Sequence, residues 1–511
     1  MMEQIKLKAI INGKTAVFTV ECGMTALDAL EANGVTVYAP CGGAGHCGGC
    51  RAKIKGKIRP ISDEAAVLGE AFAEKDVHLL CSTELLGDAE VEITTDIAVM
   101  EREIFDSADK GTDYGVAIDI GTTTVAVYIC RLDDGRVVFE DAFLNPQSRF
   151  GADVITRVAA IKNDAAALEK QRKVLLEQIN ASIGKFSSDR ARFSRAVICG
   201  NTVMEHIAAG FDPCGIAEYP FKCESLFGYS IEADKVGLDI KHGAGVYFAP
   251  CIASYVGGDI SCGLASVKFD ETSGDALYID VGTNGEIALV HDGELYFCSA
   301  AAGPALEGAG ISHGMPSIEG AIKEVQVKDD ILLYKTVKDK AAQGICGSGV
   351  IDAVAALKDV RAIDETGRMV DNPLICTVNG KRALKICDGV FFNEDDVRAV
   401  QLAKAAIAAG IKVLVERSGA KLSSLEKVII SGGFGSNINI ENAVKIGLFP
   451  KEILGRAVSV GNAAGMGAVE ILTDDKARER AERLARNGKY IELSFDKRFG
   501  ELFVDEMGFD I

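Results

Sequence analysis

The 511 residues exceed the roughly 250–300 at which a single hydrophobic core stops growing, so several cores are expected, three as a working number. With 74 acidic against 55 basic side chains the formal charge is −19, which repels phosphate backbones and anionic lipid and sets aside nucleic acid and membranes as partners. A globular balance of 48% hydrophobic and 25% charged residues, a start (Met1-Met2-Glu3-Gln4-Ile5-Lys6) without a charged-then-apolar leader, and no run of 18 apolar residues lead to the expectation of a soluble, cytoplasmic protein.

In chain order, residues 5–11 and 15–20 alternate as short strands around Asn12-Gly13, a hairpin signal. Thr25 precedes a brief helical pattern over 26–32, with Asp28 three residues past the cap and Asn33-Gly34 ending it. Strands at 51–55 and 90–95 would close a β-grasp over residues 1–98. The polar, Gly-punctuated stretch 99–114 suits a linker. Beyond it the chain repeats itself. Val116-Ala117-Ile118-Asp119-Ile120-Gly121-Thr122-Thr123-Thr124 leads to a second strand at 125–129, an Asp133-Asp134-Gly135 turn and a third strand at 137–139. Leu277-Tyr278-Ile279-Asp280-Val281-Gly282-Thr283-Asn284-Gly285-Glu286 leads to a strand at 287–290, a His291-Asp292-Gly293 turn and a strand at 295–297. Agreement in six successive features predicts two homologous lobes, 115–270 and 271–511. The second lobe should contain a helix over 394–418, capped by Asn393 with Asp396 at the third position, striped by Val397, Val400, Ala403, Ile407, Ile411 and Leu414, and ended by Gly419. Residues 475–487 read as a charged surface helix.

Fifteen cysteines in a cytoplasmic chain point to metal binding or buried thiols rather than disulfides. Eleven are scattered, often in apolar strands as in Tyr128-Ile129-Cys130 and Val197-Ile198-Cys199, and read as core residues. The other four are patterned: Cys41, Cys47 and Cys50 at spacings of five and two residues, then Cys81 after thirty more. A [2Fe–2S] cluster needs three thiolates from a loop wrapped closely around it and a fourth from elsewhere, and the plant-type spacing differs here by one residue. Five glycines between Cys41 and Cys50 let backbone N–H groups approach the sulfides. A Cys₄ zinc site is the alternative, but such sites usually present two C-x₂-C pairs and only one is present. His46 reads as a loop residue, since a Rieske centre would need two His in place of two Cys.

A nucleoside triphosphate needs backbone N–H donors for its phosphates and carboxylates that hold Mg²⁺. Gly121, Thr122, Thr123 and Thr124 in one lobe, and Gly282, Thr283, Asn284 and Gly285 in the other, suit the first task. Asp119 and Asp280, at the strand ends just before, suit holding hydrated Mg²⁺ or orienting water. A third turn after the strand 428–431, Gly432-Gly433-Phe434, lets backbone approach a flat ligand such as adenine; alone, it also suits a tight strand-to-helix connection. This order resembles the acetate and sugar kinase, heat-shock chaperone and actin superfamily. The resemblance implies an α/β fold in which a β-grasp ferredoxin-like domain precedes a two-lobed actin/sugar-kinase-like ATPase with ribonuclease H-like lobes. It places ATP with Asp119 and 121–124 on the β- and γ-phosphates, Asp280 and 282–286 on the same side, and 432–434 on the adenosine.

Joined to the cysteine domain, the chain resembles more closely the reductive activators of corrinoid proteins, through Asn145-Pro146-Gln147, Gly151-Ala152-Asp153-Val154-Ile155, Gly200-Asn201-Thr202, Ser254-Tyr255-Val256-Gly257-Gly258-Asp259, Ala301-Ala302-Gly303-Pro304-Ala305 and Gly344-Ile345-Cys346-Gly347-Ser348-Gly349. The resemblance implies that one electron passes from the [2Fe–2S] cluster to a methyltransferase system's corrinoid protein, restoring Co(I) from Co(II) at the expense of ATP. It also implies an upstream electron donor and allows a homodimer. Family members often carry a longer connection after the cluster domain than residues 99–114. Two other functions compete. A small-molecule kinase with an accessory redox domain would need a general base, for which Asp153 and Asp259 are available, although Asp259 after Gly-Gly reads rather as a cap or turn residue. A redox sensor would use the cluster to govern nucleotide-dependent binding.

Overall fold

The computed structural model describes residues 4–11, 14–33, 35, 37, 50–62, 64, 76–93, 113–328, 331–432 and 438–510. The Asn12-Gly13 turn, Cys41, His46, Cys47, nearly all of the 99–114 linker, Gly433 and Phe434 lie outside the described residues.

In the first domain β1 (Gln4–Ile11) and β2 (Lys14–Glu21) pair antiparallel, burying Ile5, Leu7 and Ala9 and exposing Lys6 and Lys8. Thr25 caps the Ala26–Glu31 helix, accepting from the Asp28 amide at 3.1 Å. With β3 (Arg51–Pro60), β4 (Val77–Leu79) and β5 (Thr83–Ile93) the sheet runs β2-β1-β5-β3-β4, with β5 parallel to β1 at its centre. Both closing strands are longer than expected: β3 continues past residue 55, and β5 begins at Thr83 rather than 90. The polar stretch 55–60 conceals the first extension. Its pairing with β5 shifts register between Gly56 and Ile58, where Gly56 takes φ +129° and a Cβ would meet the Asp88 carbonyl oxygen at 2.5 Å.

The first lobe is a six-stranded sheet ordered β10-β11-β9-β6-β7-β8. Strands β6 (Tyr114–Ile120), β7 (Thr124–Arg131) and β8 (Val137–Leu144) form an antiparallel meander, and β9 (Phe193–Gly200) lies parallel to β6. Strand β11 (Gly245–Phe248), beside β9, and edge strand β10 (Tyr229–Glu232) complete it. The second lobe repeats the plan. Strands β12 (Asp275–Val281), β13 (Gly285–His291) and β14 (Glu294–Ala300) form the meander. Two three-stranded sheets are inserted, β15 (Ala321–Lys328), β16 (Ile331–Thr336) and β17 (Gly344–Ile345), then β18 (Ile375–Val378), β19 (Lys381–Cys387) and β20 (Val390–Asn393). Parallel strands β21 (Leu425–Ser431) and β22 (Ala457–Gly461) then join β12, and β23 (Gly488–Tyr490) joins β14. The repeat therefore reaches one strand further than the sequence suggested. Cys199 on β9 lies beside Asp119 as Ser431 on β21 lies beside Asp280. Gly200 and Gly432 follow them, where a Cβ would strike the Ile120 and Val281 carbonyl oxygens at 2.6 and 2.3 Å.

The Glu394–Ser418 and Asp475–Asn487 helices have the expected bounds, the former with Asn393 and Asp396 as a reciprocal cap and Gly419 left-handed at φ +79°. Each lobe has its own apolar core, and a further core lies between them. At its centre the Gly258–Ser266 helix, leaving the first lobe, crosses the Ala463–Thr473 helix of the second. A Cβ on Gly467 would sit 2.0 Å from the Cys262 carbonyl oxygen, so only glycine permits this approach. Of the eleven scattered cysteines, Cys130, Cys199, Cys251, Cys262, Cys298 and Cys346 are buried; Cys22, Cys214, Cys223, Cys376 and Cys387 are partly exposed. Among the described residues no helix is long and apolar enough to cross a membrane.

Candidate nucleotide cleft and cluster site

Residues 121–123 turn the chain between β6 and β7, with the Gly121 amide donating to the Thr124 carbonyl at 2.9 Å. The turn is held from below by two segments that the family resemblance singled out, around Asn145 and Asn201, and by Arg157. The Asn145 side-chain amide donates to the Gly121 carbonyl at 2.8 Å, and its backbone N–H to the Thr123 carbonyl at 2.8 Å. The Asn201 amide donates to the Thr122 hydroxyl at 3.1 Å. Arg157, with no exposed surface, donates to the Thr122 and Gly151 carbonyls at 2.6 and 3.0 Å. Burial brings its guanidinium pKa down to about 9. The sequence carried no sign of this buried cation. Together with Asn145 it fixes the Gly121, Thr122 and Thr123 carbonyls behind the turn.

In the second lobe the Gly282 amide closes the turn on the Asn284 carbonyl at 3.0 Å, and Asp280 pairs in register with Glu286 across β12 and β13. The Tyr278 hydroxyl donates to Asp280 Oδ2 at 3.3 Å, and the Ser431 hydroxyl also supports the carboxylate. Gly432, at φ +119°, brings the third turn against the end of β12.

The lobes exchange contacts at these carboxylates. Asn462, capping the second lobe's Ala463–Thr473 helix, donates to Asp119 Oδ2 of the first lobe at 2.8 Å, and the Cys199 thiol approaches Asp119 Oδ1 at 3.8 Å. Asp259 belongs to the first lobe's Gly258–Ser266 helix and faces Asp280 of the second. It is neither cap nor turn residue: Gly257 is the N-cap, and Asp259 is an acid of the cleft, its Oδ1 accepting from the Ile260 amide at 2.8 Å. Burial, then repulsion from Asp280 and Asp119, pushes its pKa up to about 8. Asp119 rises to about 6 through burial, with Asp280 adding to the shift. Asp280 is raised by burial, and Glu286 well above the carboxylate range by burial, Asp259 and Asp280. These acids thus share one poorly solvated, uncompensated negative region, the electrostatic setting a divalent cation relieves. Among the described residues no three His, Cys, Asp or Glu side chains converge tightly enough to hold a metal ion by themselves.

A further acid escaped the sequence reading. Glu307, at the end of the 3-10 turn Pro304–Glu307, accepts through Oε2 from the Thr123 hydroxyl at 2.7 Å and the Thr283 hydroxyl at 3.2 Å, one from each lobe. It follows directly on the Ala301–Ala305 stretch of the family resemblance, which was the only available signal.

In the first domain the Sγ atoms of Cys50 and Cys81 lie 3.2 Å apart, both buried. Cys81 sits on the 3-10 turn Leu80–Ser82, which Glu64 secures by accepting from the Leu79 amide at 2.9 Å and the Thr83 hydroxyl at 2.8 Å while its other oxygen meets His78 at 2.7 Å. Two soft donors from distant segments therefore converge at the end of the loop carrying Cys41 and Cys47, as thiolate ligation of an iron–sulfur cluster requires. Beside them, Arg51 donates to the Gln343 carbonyl of the second lobe at 3.0 Å.

Residues 9–86 match the family model of the 2Fe–2S iron–sulfur cluster binding domain. Residues 114–272 match the RACo middle region, and 275–510 the C-terminal domain of RACo, the ASKHA domain. The chain is 34% identical over 414 residues to the corrinoid activation enzyme RamQ of Eubacterium limosum, covering 76% of this chain and 69% of that protein. It is 24% identical over 431 residues to the [Co(II) methylated amine-specific corrinoid protein] reductase of Methanosarcina barkeri, covering 78% and 77%. A solved reductive activator for a corrinoid, iron–sulfur protein superposes with a TM-score of 0.73 at 27% identity, over 98% of each chain. Cluster domain, middle region and ASKHA domain follow one another in the order of these relatives, and the chain belongs to the family of reductive activators of corrinoid proteins.

Proposed function

We propose that this chain uses ATP bound between its lobes to drive one-electron reduction of the cobalt of a methyltransferase system's corrinoid protein from Co(II) to Co(I). The observation that carries the reading is the union in one chain of a converging thiol pair, Cys50 and Cys81, with a cleft where twin aspartates face each other behind phosphate-type turns. The Eubacterium limosum relative, a corrinoid activation enzyme, and the Methanosarcina barkeri relative, a Co(II) corrinoid protein reductase, support it. Cys41, Cys47, Cys50 and Cys81 hold the cluster, which supplies single electrons at about −400 mV for a plant-type centre. Asp119 and Asp280 hold the hydrated Mg²⁺ of the nucleotide. Residues 121–124 and 282–286 cradle the phosphates, and 432–434 border the adenosine. Binding the triphosphate changes the charge shared by Asp119, Asp259 and Asp280, which belong to different lobes, and so favours one lobe arrangement over another. The partner's cobalt couple is expected below −400 mV, so the preferred arrangement must make its reduction easier. An upstream donor replenishes the electron in the cytoplasm, and the chain works alone or as a homodimer, away from nucleic acid and membrane.

The test incubates the cluster-loaded protein with Mg–ATP, a reductant and a Co(II) corrinoid protein. Co(I) absorbance that depends on ATP is expected. Asp280→Ala should abolish it with the visible cluster spectrum intact, and undiminished reduction by this variant defeats the coupling. A phosphorylated small molecule would identify a kinase instead, and neither product a sensor.

A further inference from the structure

Among the described residues, Asp119, Asp259, Asp280, Glu286 and Glu307 gather at the nucleotide cleft, and their hydrogen bonds divide them. Asp119 is occupied by Asn462 and Cys199, Asp280 by Tyr278 and Ser431, and Asp259 by the amide of its own helix. Glu286 is buried in β13 with Asn284 as its side-chain partner. Among the described residues Glu307 alone bonds to both phosphate turns, at 2.7 Å to Thr123 and 3.2 Å to Thr283. Its other oxygen lies against Gly282, where a Cβ would come within 3.2 Å, so the second turn is shaped around this carboxylate. A triphosphate whose terminal group is cradled by turns from both lobes must end beside it.

Each threonine hydroxyl has one proton to give. Here both protons go to Glu307 Oε2. Phosphate oxygens are acceptors that compete for the same two donors, so their arrival frees the lone pairs of Glu307 within a hydrogen-bond length of the terminal phosphorus's surroundings. The carboxylate cannot take the phosphate's place there because both are acceptors. What fits between them is a donor to both, and water is the one at hand.

We propose that Glu307 is the general base of ATP hydrolysis in this chain, a catalytic residue that touches the attacking water and not only a clasp between the turns. The inference rests on the reading that the cleft binds ATP. As the water oxygen bonds to the γ-phosphorus, the bond from that phosphorus to the β-bridging oxygen breaks. The water proton passes to Glu307, ADP and inorganic phosphate leave, and the proton returns to solvent; no electron changes hands. Burial raises the Glu307 pKa, which strengthens it as a base. A positioned base that also orients the attacking water contributes roughly 10²–10⁴-fold.

Glu307→Gln keeps an oxygen that can accept both threonine bonds but cannot take a proton. The full-length, cluster-loaded variant should lose at least about 100-fold in kcat for phosphate release, with KM for ATP within about threefold of the parent. A kcat within threefold of the parent overturns the inference, as does a matched loss of kcat and of affinity for a fluorescent ATP analogue, which would make Glu307 a binding residue only. If the Gln variant fails to fold, Glu307→Ala decides: formate, a small carboxylate, should restore phosphate release if a base is missing, and no restoration overturns the inference. Cobalt reduction is read separately by its absorbance. A parent that hydrolyses ATP without reducing cobalt defeats the proposed function and leaves the role of Glu307 standing.

Discussion

The crowding of acids around Asp259 predicts a variant that gains stability, Asp259→Asn. Asp259 titrates near 3.8 in an unfolded chain and about 8 in the folded one. Between those values the folded protein keeps a proton that the unfolded chain has released, so folding stability falls as pH rises from about 4 and levels off near 8. Each unit costs about 1.4 kcal/mol. Asp259 retains some solvent contact and shares its repulsion with Asp119 and Asp280, so about half of the full penalty is assigned to it. That leaves about 3 kcal/mol at pH 8 and under about 1 kcal/mol at pH 5. Asparagine cannot ionise and escapes the penalty. Urea unfolding of the nucleotide-free protein, followed by far-ultraviolet circular dichroism at pH 5, 6, 7 and 8, should show the variant's advantage growing with pH. Cluster absorbance monitors the first domain separately. With Mg–ATP the parent gains binding energy and the advantage shrinks. A variant less stable than its parent at pH 8, or an advantage independent of pH, refutes the electrostatic account.

Arg157→Met leaves the Thr122 and Gly151 carbonyls without their donor, and should cost about 2–4 kcal/mol in urea unfolding and raise KM for ATP about tenfold. Gly467→Ala forces apart the two crossing helices at a backbone contact and should cost about 1–3 kcal/mol, read in the same unfolding experiment. Cys81→Ser should abolish the visible cluster absorbance while phosphate release from ATP stays within about twofold, because the thiol pair and the cleft belong to different domains.

What could be read from the sequence was local. The two Asp-Gly-Thr turns announce themselves because strand end, acid and small polar turn are contiguous, and the Glu394–Ser418 helix because both its caps and its apolar stripe are. The thiol group was legible from spacing, and Cys50 and Cys81 do meet, while Cys41 and Cys47 lie outside the described residues. The rest depends on pairings between distant segments. Glu307 has no local signature, since its meaning comes from Thr123, 184 positions earlier. Arg157 looks like any helical arginine until the fold removes its water. Asp259 misleads because Gly-Gly before an acid reads as a turn, when Gly257 admits the Gly200 carbonyl and Gly258 admits Glu205: a Cβ would lie 2.4 Å from the first and 2.0 Å from the carboxylate of the second. Cys199-Gly200 and Ser431-Gly432 are equivalent in the two sheets, yet share too little chemistry to be aligned by eye.

The crossed contacts at the lobe boundary explain how nucleotide charge can become mechanical. Asn462 caps the helix after β22 of the second lobe and holds the acid of the first; Asp259 comes from the helix after β11 of the first lobe and meets the acid of the second. The helices that carry them touch backbone to backbone at Gly467, with no side chain to absorb a shift. Neutralising Asp119 and Asp280 therefore acts on both sides of a stiff crossing at once. Arg51, next to Cys50, is bonded to the second lobe through Gln343, so a change in lobe angle carries the thiol pair with that lobe relative to the first. A coupling of the usual 1–3 kcal/mol is worth about 40–130 mV for one electron. Nucleotide binding can close a potential gap of that size; a wider gap requires the free energy of hydrolysis, which is why the identity of the residue that activates water bears directly on how far uphill the electron can be sent.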